Sequence, residues 1–319
     1  MAAETQGVGR NMIKIHNEKL DDLAQIHYEA IKNQIYRDKK QSEDECNSFF
    51  LKQGIPYTLN EIITAKVPKL QMIVDNPECD CKILNLFKEM YSKFAHNSNS
   101  HIGMTRRRKG VKTYNALTLV ESLGIKVCPL CNRNYINNTS RTKYGSKRTC
   151  QLDHFYSQSD YPLLAMSFYN LIPVCSSCNH TKSNSSITVS PYSTDEIDHL
   201  ITFGFNINSL KSADSDEQIE VVVKLHSSIK DNFDVLGLKS LYLNHNDIVF
   251  EILEKYRYYN RTKRNELLRD FGGLYSNEES IKKALFGNYA DIANFHRKSL
   301  SKLTKDIITS IEEQPSDLL

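Results

Sequence analysis

Two C-x-x-C pairs, Cys128-Pro129-Leu130-Cys131 and Cys175-Ser176-Ser177-Cys178, constrain this chain more than anything else in it. A C-x-x-C turn aims two thiolates at one point. Two such turns complete the tetrahedral shell of a structural zinc ion and leave no position open for water or substrate. Residues 132–174 then form a loop closed at the metal. Two rivals stand beside this reading. A redox dithiol wants a single C-x-x-C next to a βαβ pattern, which is absent, and unrelated core thiols have no reason to fall into two matched pairs. Cys46, Cys79, Cys81 and Cys150 share no such arrangement, the C-x-C of Cys79 and Cys81 being a weak metal signal, and read as ordinary thiols.

The amino terminus MAAETQGVGRNMIK lacks the apolar stretch of a secretory leader, and nowhere do about 18–20 apolar residues follow one another. The expectation is a cytoplasmic chain with no membrane contact, whose cysteines are thiols or metal ligands rather than disulfides. The 319 residues carry 41 Lys+Arg against 38 Asp+Glu, a formal charge of +3. That balance excludes a protein coating polyanions through bulk charge, so any nucleic-acid affinity must come from local basic patches.

Apolar periodicity divides the chain in three. Residues 1–124 read as helical. Leu20, Leu23, Ala24, Ile31 and Ile35 recur at helical spacing within Asn11–Lys39, with His27 and Tyr28 among them as core packing. Further helical patterns cover Leu59–Val74, Cys81–Phe94, with Tyr91 on its apolar face, and Leu117–Leu123, which Gly124 ends. Arg106-Arg107-Arg108-Lys109 reads as a solvated basic loop. Residues 125–192 hold the cysteine pairs. In 193–319, alternation over Leu200–Ile207 and Ile219–Leu225 predicts a small hairpin. Helices follow around Ile248–Tyr256, after a Ser276/Glu279 capping box, and over Leu300–Ile311.

Between the cysteine pairs lie Gln151-Leu-Asp153-His154-Phe and Tyr169-Asn170-Leu-Ile-Pro, and the second pair continues as Cys178-Asn179-His180-Thr-Lys182. In this order the residues of about 128–192 resemble the HNH, or ββα-metal, endonucleases. The resemblance implies a metal-dependent hydrolase of DNA phosphodiester bonds leaving 5′-phosphate and 3′-hydroxyl ends, with RNA left open as a substrate. His154, with an imidazole pKa near 6.5, would take the proton of the attacking water. Asp153, on the other side of an extended strand, would hold Mg²⁺ or Mn²⁺ with Asn179 as the second ligand and His180 as the alternative. Asn170 would tie down the loop that orients the base, and Lys182 would contact phosphate.

Arg141, Lys143, Lys147 and Arg148, near Tyr135 and Tyr144, then read as a nucleic-acid contact of salt-dependent, sequence-independent character. Lys255, Arg257, Arg261, Lys263 and Arg264 among Tyr256, Tyr258 and Tyr259 form a second candidate. The expected architecture is α-rich α+β: a central ββα-metal module with structural zinc, flanked by helical regions and the small hairpin. A nuclease module with large flanks also resembles the nuclease subunit of Septu-type bacterial antiphage systems, whose partner is an ATPase; this chain has no G-x-x-x-x-G-K-[ST] of its own. The competing class is a non-catalytic zinc module that binds nucleic acid or protein, which needs the cysteines but has no use for Asp153, His154 and Asn179 in this order.

Overall fold

The amino-terminal helices have starts and stops that their residues explain. In the computed structural model, which describes residues 13–76, 85–96, 114–141, 145–193, 198–208 and 213–313, helix α1 spans Leu20–Lys39 and buries Ala24, His27, Tyr28, Ile31 and Ile35. It starts later than the Asn11 expected from periodicity. The preceding segment is already committed elsewhere: the Ile13 N–H bonds Pro129 O and the Ile15 N–H bonds Pro191 O. Helices α2 (Glu43–Lys52) and α3 (Leu59–Ile63) each open on a capping box, Ser42 with Glu45 and Thr58 with Glu61.

The single helix expected over Leu59–Val74 is two, because Pro68 stands in the first turn of α4 (Val67–Val74). Proline lacks an N–H and its ring clashes with the carbonyl four residues back, so one helix cannot run through Pro68; the chain extends at Lys66 and restarts with the proline in the first turn, where no N–H is needed. Helices α5 (Asn85–Ala95) and α6 (Ala116–Leu123) complete this layer, α6 ending on Gly124 at φ +70°. Arg106–Lys109, Cys79 and Cys81 lie outside the described residues.

Among the described residues three two-stranded antiparallel sheets follow. Strands β1 (Asn138–Arg141) and β2 (Gly145–Arg148) form a short hairpin. Strands β3 (Gln151–His154) and β4 (Leu171–Val174) pair with Gln151 opposite Val174 and His154 opposite Leu171, and helix α7 (Ser176–Lys182) leaves β4 directly. Pro173 is tolerated because a two-stranded sheet has only edges. The expected hairpin is β5 (Ile201–Ile207) with β6 (Ile219–Leu225); Ile201, Phe203 and Phe205 point inward while Thr202 and Asn206 are exposed.

Short helices α8 (Lys230–Val235) and α9 (Leu238–Leu243) then lead to α10 (Asn246–Tyr258), α11 (Arg261–Asp270), α12 (Glu278–Phe286) and α13 (Ser301–Glu312). The box that opens α12 is Asn277 with Ser280, one residue later than the Ser276/Glu279 pair expected. Buried Asp306 of α13 accepts from the Phe203 N–H and pairs with Lys302 at 2.7 Å, fastening α13 to β5.

The hydrophobic core is continuous from Ile15 to Ile311, so the three sequence regions share one interior. Asn132, at φ 48°, joins the first cysteine turn to the carboxyl-terminal region. Its Nδ2 donates to the Phe295 and Lys298 carbonyls, its Oδ1 accepts from the Lys302 N–H, and its own carbonyl accepts from the Leu300 N–H. Among the described residues no helix is long and apolar enough to cross a membrane.

His27 is fully buried, with Nδ1 2.9 Å from the Tyr114 hydroxyl and Nε2 2.8 Å from the Met166 carbonyl. Burial holds its pKa at about 4. The unfolded chain takes up a proton here below about 6.5 while the folded chain resists until about 4, so stability is lost as pH falls through that window, reaching about 3 kcal/mol by pH 4. Urea melts between pH 7 and pH 4 should therefore show wild type losing about 3 kcal/mol more than His27→Gln; equal losses would remove His27 from the acid sensitivity.

Candidate functional site

The four paired cysteines converge. The Sγ atoms of Cys128, Cys131, Cys175 and Cys178 all lie within 4.8 Å of one another, all are buried, and Cys131 and Cys175 are 3.9 Å apart. A tetrahedral zinc with Zn–S bonds of about 2.3 Å sets its sulfurs about 3.8 Å apart, so the donor set fits such an ion. Cys175 Sγ accepts from the Cys178 N–H and from Asn134 Nδ2, and Cys131 Sγ accepts from the Arg133 N–H. Such N–H donors favour thiolates and orient them. Burial pushes the Cys128 thiol well above its ordinary value, so a fully ionised shell requires a cation at its centre. Cys46 and Cys150 are buried free thiols away from this cluster.

Beside the cluster opens a polar cleft of about 320 Å³, bordered by Asp153 and His154 of β3, Asn179 and Lys182 of α7, Arg148 of β2 and Tyr91 of α5. His154 Nε2 is 3.0 Å from the Ala165 carbonyl. A carbonyl only accepts, so this nitrogen carries the proton and Nδ1 is the basic one. Burial lowers the His154 pKa to about 4, which keeps the ring neutral near pH 7. The Tyr91 ring meets the imidazole edge-on at 4.4 Å between centroids, and its hydroxyl donates to the Leu152 carbonyl.

Asp153 is buried, and burial raises its pKa against the opposing pull of Lys182. Oδ1 accepts from Lys182 Nζ at 3.1 Å, whereas Oδ2 is buried without a partner among the described residues. An orphaned carboxylate oxygen costs free energy unless a cation or donor meets it, and it is the ligand a hard divalent ion takes. Strand alternation predicted opposite faces for Asp153 and His154. Both border the cleft, as Gln151 and Leu152 do, so the cleft runs along the length of β3 rather than over one of its faces. Asn179 is half-buried at the cleft edge, while His180 is exposed and outside its lining.

Asn170 is fully buried away from the cleft: Oδ1 accepts from the Tyr156 N–H, and Nδ2 donates to the Tyr156 and Leu164 carbonyls. It closes the loop whose Ala165 carbonyl holds His154. Lys182, the expected phosphate contact or charge stabiliser, lines the cleft with its ammonium buried between Asp153 Oδ1 and the His154 carbonyl. Arg148 is half-buried, donates to the Cys150 and Ala95 carbonyls and has no carboxylate partner among the described residues. Lys147 is exposed; Lys143 and the side chain of Arg141 lie outside the described residues. In the second basic candidate, Arg264 is buried on Glu278, Glu312 and the Tyr256 ring, Lys255 pairs with Glu251 and Lys263 with Glu266. Arg257 donates to the Ala213 carbonyl, so three of the five cations expected there are matched by carboxylates.

Sequence reasoning missed Tyr91 and Ala165 at the site. Tyr91 sat on an apolar helical face indistinguishable from core, and Ala165 acts through a carbonyl that every residue possesses. Searches against protein-family models, curated proteins and solved structures find no match for this chain.

If the thiol cluster holds structural zinc, the purified protein should contain one zinc per chain and Cys175→Ser should lose it. Structural zinc contributes about 10–16 kcal/mol of apparent binding energy to folding, so the variant's melting transition should collapse. Wild-type metal content and melting in Cys175→Ser would refute the site.

Proposed function

We propose that this chain is a metal-dependent endonuclease of the HNH type, hydrolysing DNA phosphodiester bonds at the cleft of Asp153, His154 and Asn179. One observation carries the reading. A buried carboxylate oxygen and an imidazole whose Nδ1 is its basic nitrogen border the same polar cleft beside Arg148, and among the described residues neither that oxygen has a partner nor that arginine a carboxylate. The order β3, β4, α7 with the cysteine cluster at the base of α7 supports assignment of 125–192 to a ββα-metal module.

Asp153 Oδ2 and the Asn179 side chain are the groups that would hold Mg²⁺ or Mn²⁺. When bound, the ion supplies Lewis-acid stabilisation of charge on the phosphoryl and leaving oxygens. His154 Nδ1 takes a proton from water while Nε2–H stays on the Ala165 carbonyl, which keeps the ring in the tautomer the step requires. The water oxygen bonds phosphorus as the 3′-oxygen leaves and is protonated from solvent, giving 5′-phosphate and 3′-hydroxyl ends. Arg148 offers its positive charge to the phosphate backbone. Lys182 holds the Asp153 carboxylate by one oxygen, which frees the other for the ion. Antiphage defence with an ATPase on a separate chain is the setting that the Septu-type resemblance implies.

The test is cleavage of supercoiled plasmid with Mg²⁺ or Mn²⁺. Nicking or linearisation is expected from wild type, with EDTA abolishing it and His154→Ala lowering it at least about 100-fold, the scale of a lost general base. The variant's zinc content should stay unchanged. Cleavage that survives His154→Ala would overturn the assignment. Wild type that binds DNA and never cuts would favour the zinc-stabilised binding module.

A further inference from the structure

The segment around Ala165 is a turn closed by the Ser167 N–H on the Leu164 carbonyl, and buried side chains hold the carbonyls within it. Asn170 takes the Leu164 carbonyl, His154 takes that of Ala165, His27 takes that of Met166, and the Ser167 hydroxyl donates to the Ile62 carbonyl. Consecutive peptide carbonyls are therefore each gripped by a buried imidazole, one from β3 and one from α1. Only the backbone rotations of Met166 separate the two grips. His27 is locked at both nitrogens: Nε2 must donate to Met166 O, so Nδ1 accepts from the Tyr114 hydroxyl. Phe94, Tyr114 and Phe168 meet its ring edge-on at centroid distances of 5.5, 5.6 and 5.9 Å, which leaves it no alternative orientation.

We propose that His27 is a positioning residue for His154, acting through the adjacent carbonyls of Met166 and Ala165. The inference rests on the reading of His154 as general base. The Met166–Ser167 peptide is held twice, by His27 at its carbonyl and by its N–H on the Leu164 carbonyl, so the Ala165 carbonyl keeps its direction and His154 keeps Nδ1 as the basic nitrogen. Without it, the buried Met166 carbonyl loses its donor and only the turn bond to Leu164 holds that peptide, so the tilt that brings the carbonyl to another donor moves the neighbouring Ala165 carbonyl with it. An imidazole that loses its Nε2 acceptor exchanges tautomers freely and is no longer held with Nδ1 as the base. The amino-terminal helical layer thereby determines the protonation geometry of a residue in the central module.

The experiment reads the His154 tautomer from imidazole ¹⁵N shifts in the full-length protein, alongside kcat and KM on plasmid. His27→Leu removes donor and acceptor at similar bulk. It should turn the single Nε2–H pattern of His154 into a tautomer mixture and lower kcat about 10–100-fold, the usual cost of losing a residue that orients a functional ligand, with KM unchanged. His27→Gln, whose amide can donate to Met166 and accept from Tyr114, should restore both readouts. Tyr114→Phe keeps the apolar contacts and frees His27 Nδ1, so it should move the same signals in the same direction by less, and it serves if His27→Leu does not fold. An unchanged His154 pattern in folded His27→Leu, or in Tyr114→Phe if that variant alone folds, overturns the proposal. The ¹⁵N readout needs no turnover: a shifted His154 pattern beside an inactive wild type would uphold the coupling while removing the nuclease reading.

Discussion

Four buried thiols within 4.8 Å of one another impose the main constraint on this molecule. Like groups this close cannot all ionise without a central cation, so the cluster has to be neutralised before the chain around it can settle. Its consequence is positional. Cys175 caps α7, and Asn179 stands one helical turn beyond it, as Lys182 does beyond Cys178, so the placement of the thiols sets the faces that Asn179 and Lys182 turn toward β3. On the other side, Asn132 follows Cys131 immediately and carries the hydrogen bonds to Phe295, Lys298, Leu300 and Lys302. A cluster formed by two short turns thus organises both the cleft and the junction with the last helices.

Buried charge separates structural pairs from the cleft. Lys302 and Asp306 are both buried, yet every carboxylate oxygen is met: Lys302 reaches both, and the Phe203 N–H adds to one. Arg264 is likewise matched by Glu278 and Glu312. The Lys182–Asp153 pair is also buried but leaves Asp153 Oδ2 without a partner among the described residues. Because an unmet buried charge is costly, the pair that tolerates one is the pair whose setting asks for a further ligand. The contrast lies in hydrogen-bond completeness rather than in burial.

Much of the architecture was legible from local pattern. The apolar stripe of α1, the glycine stop at Gly124, the alternation of Ile201, Phe203 and Phe205, and the stripe of α13 each depend on neighbours within a turn or a strand. Where local signals compete, the reading slipped. Pro68 divided a periodic run, Asn277 displaced Ser276 as the cap of α12, and the segment before Leu20 gave its backbone donors to Pro129 and Pro191 instead of to a helix.

By itself the sequence determined the two cysteine turns, the spacing of Asp153, His154, Asn170 and Asn179, and the faces of the long helices, because each follows from residues adjacent in the chain. Only the tertiary structure decided that Lys182 is an internal partner of Asp153, that Arg264 is buried, and that His27 and His154 share neighbouring carbonyls. Lys182 and Asp153 lie 29 residues apart, and His27 and Met166 139 apart. A charge or an imidazole carries no mark of its partner, and a backbone carbonyl carries no side-chain signal at all. Such pairings exist only once packing has removed water and left each polar group to its nearest neighbour.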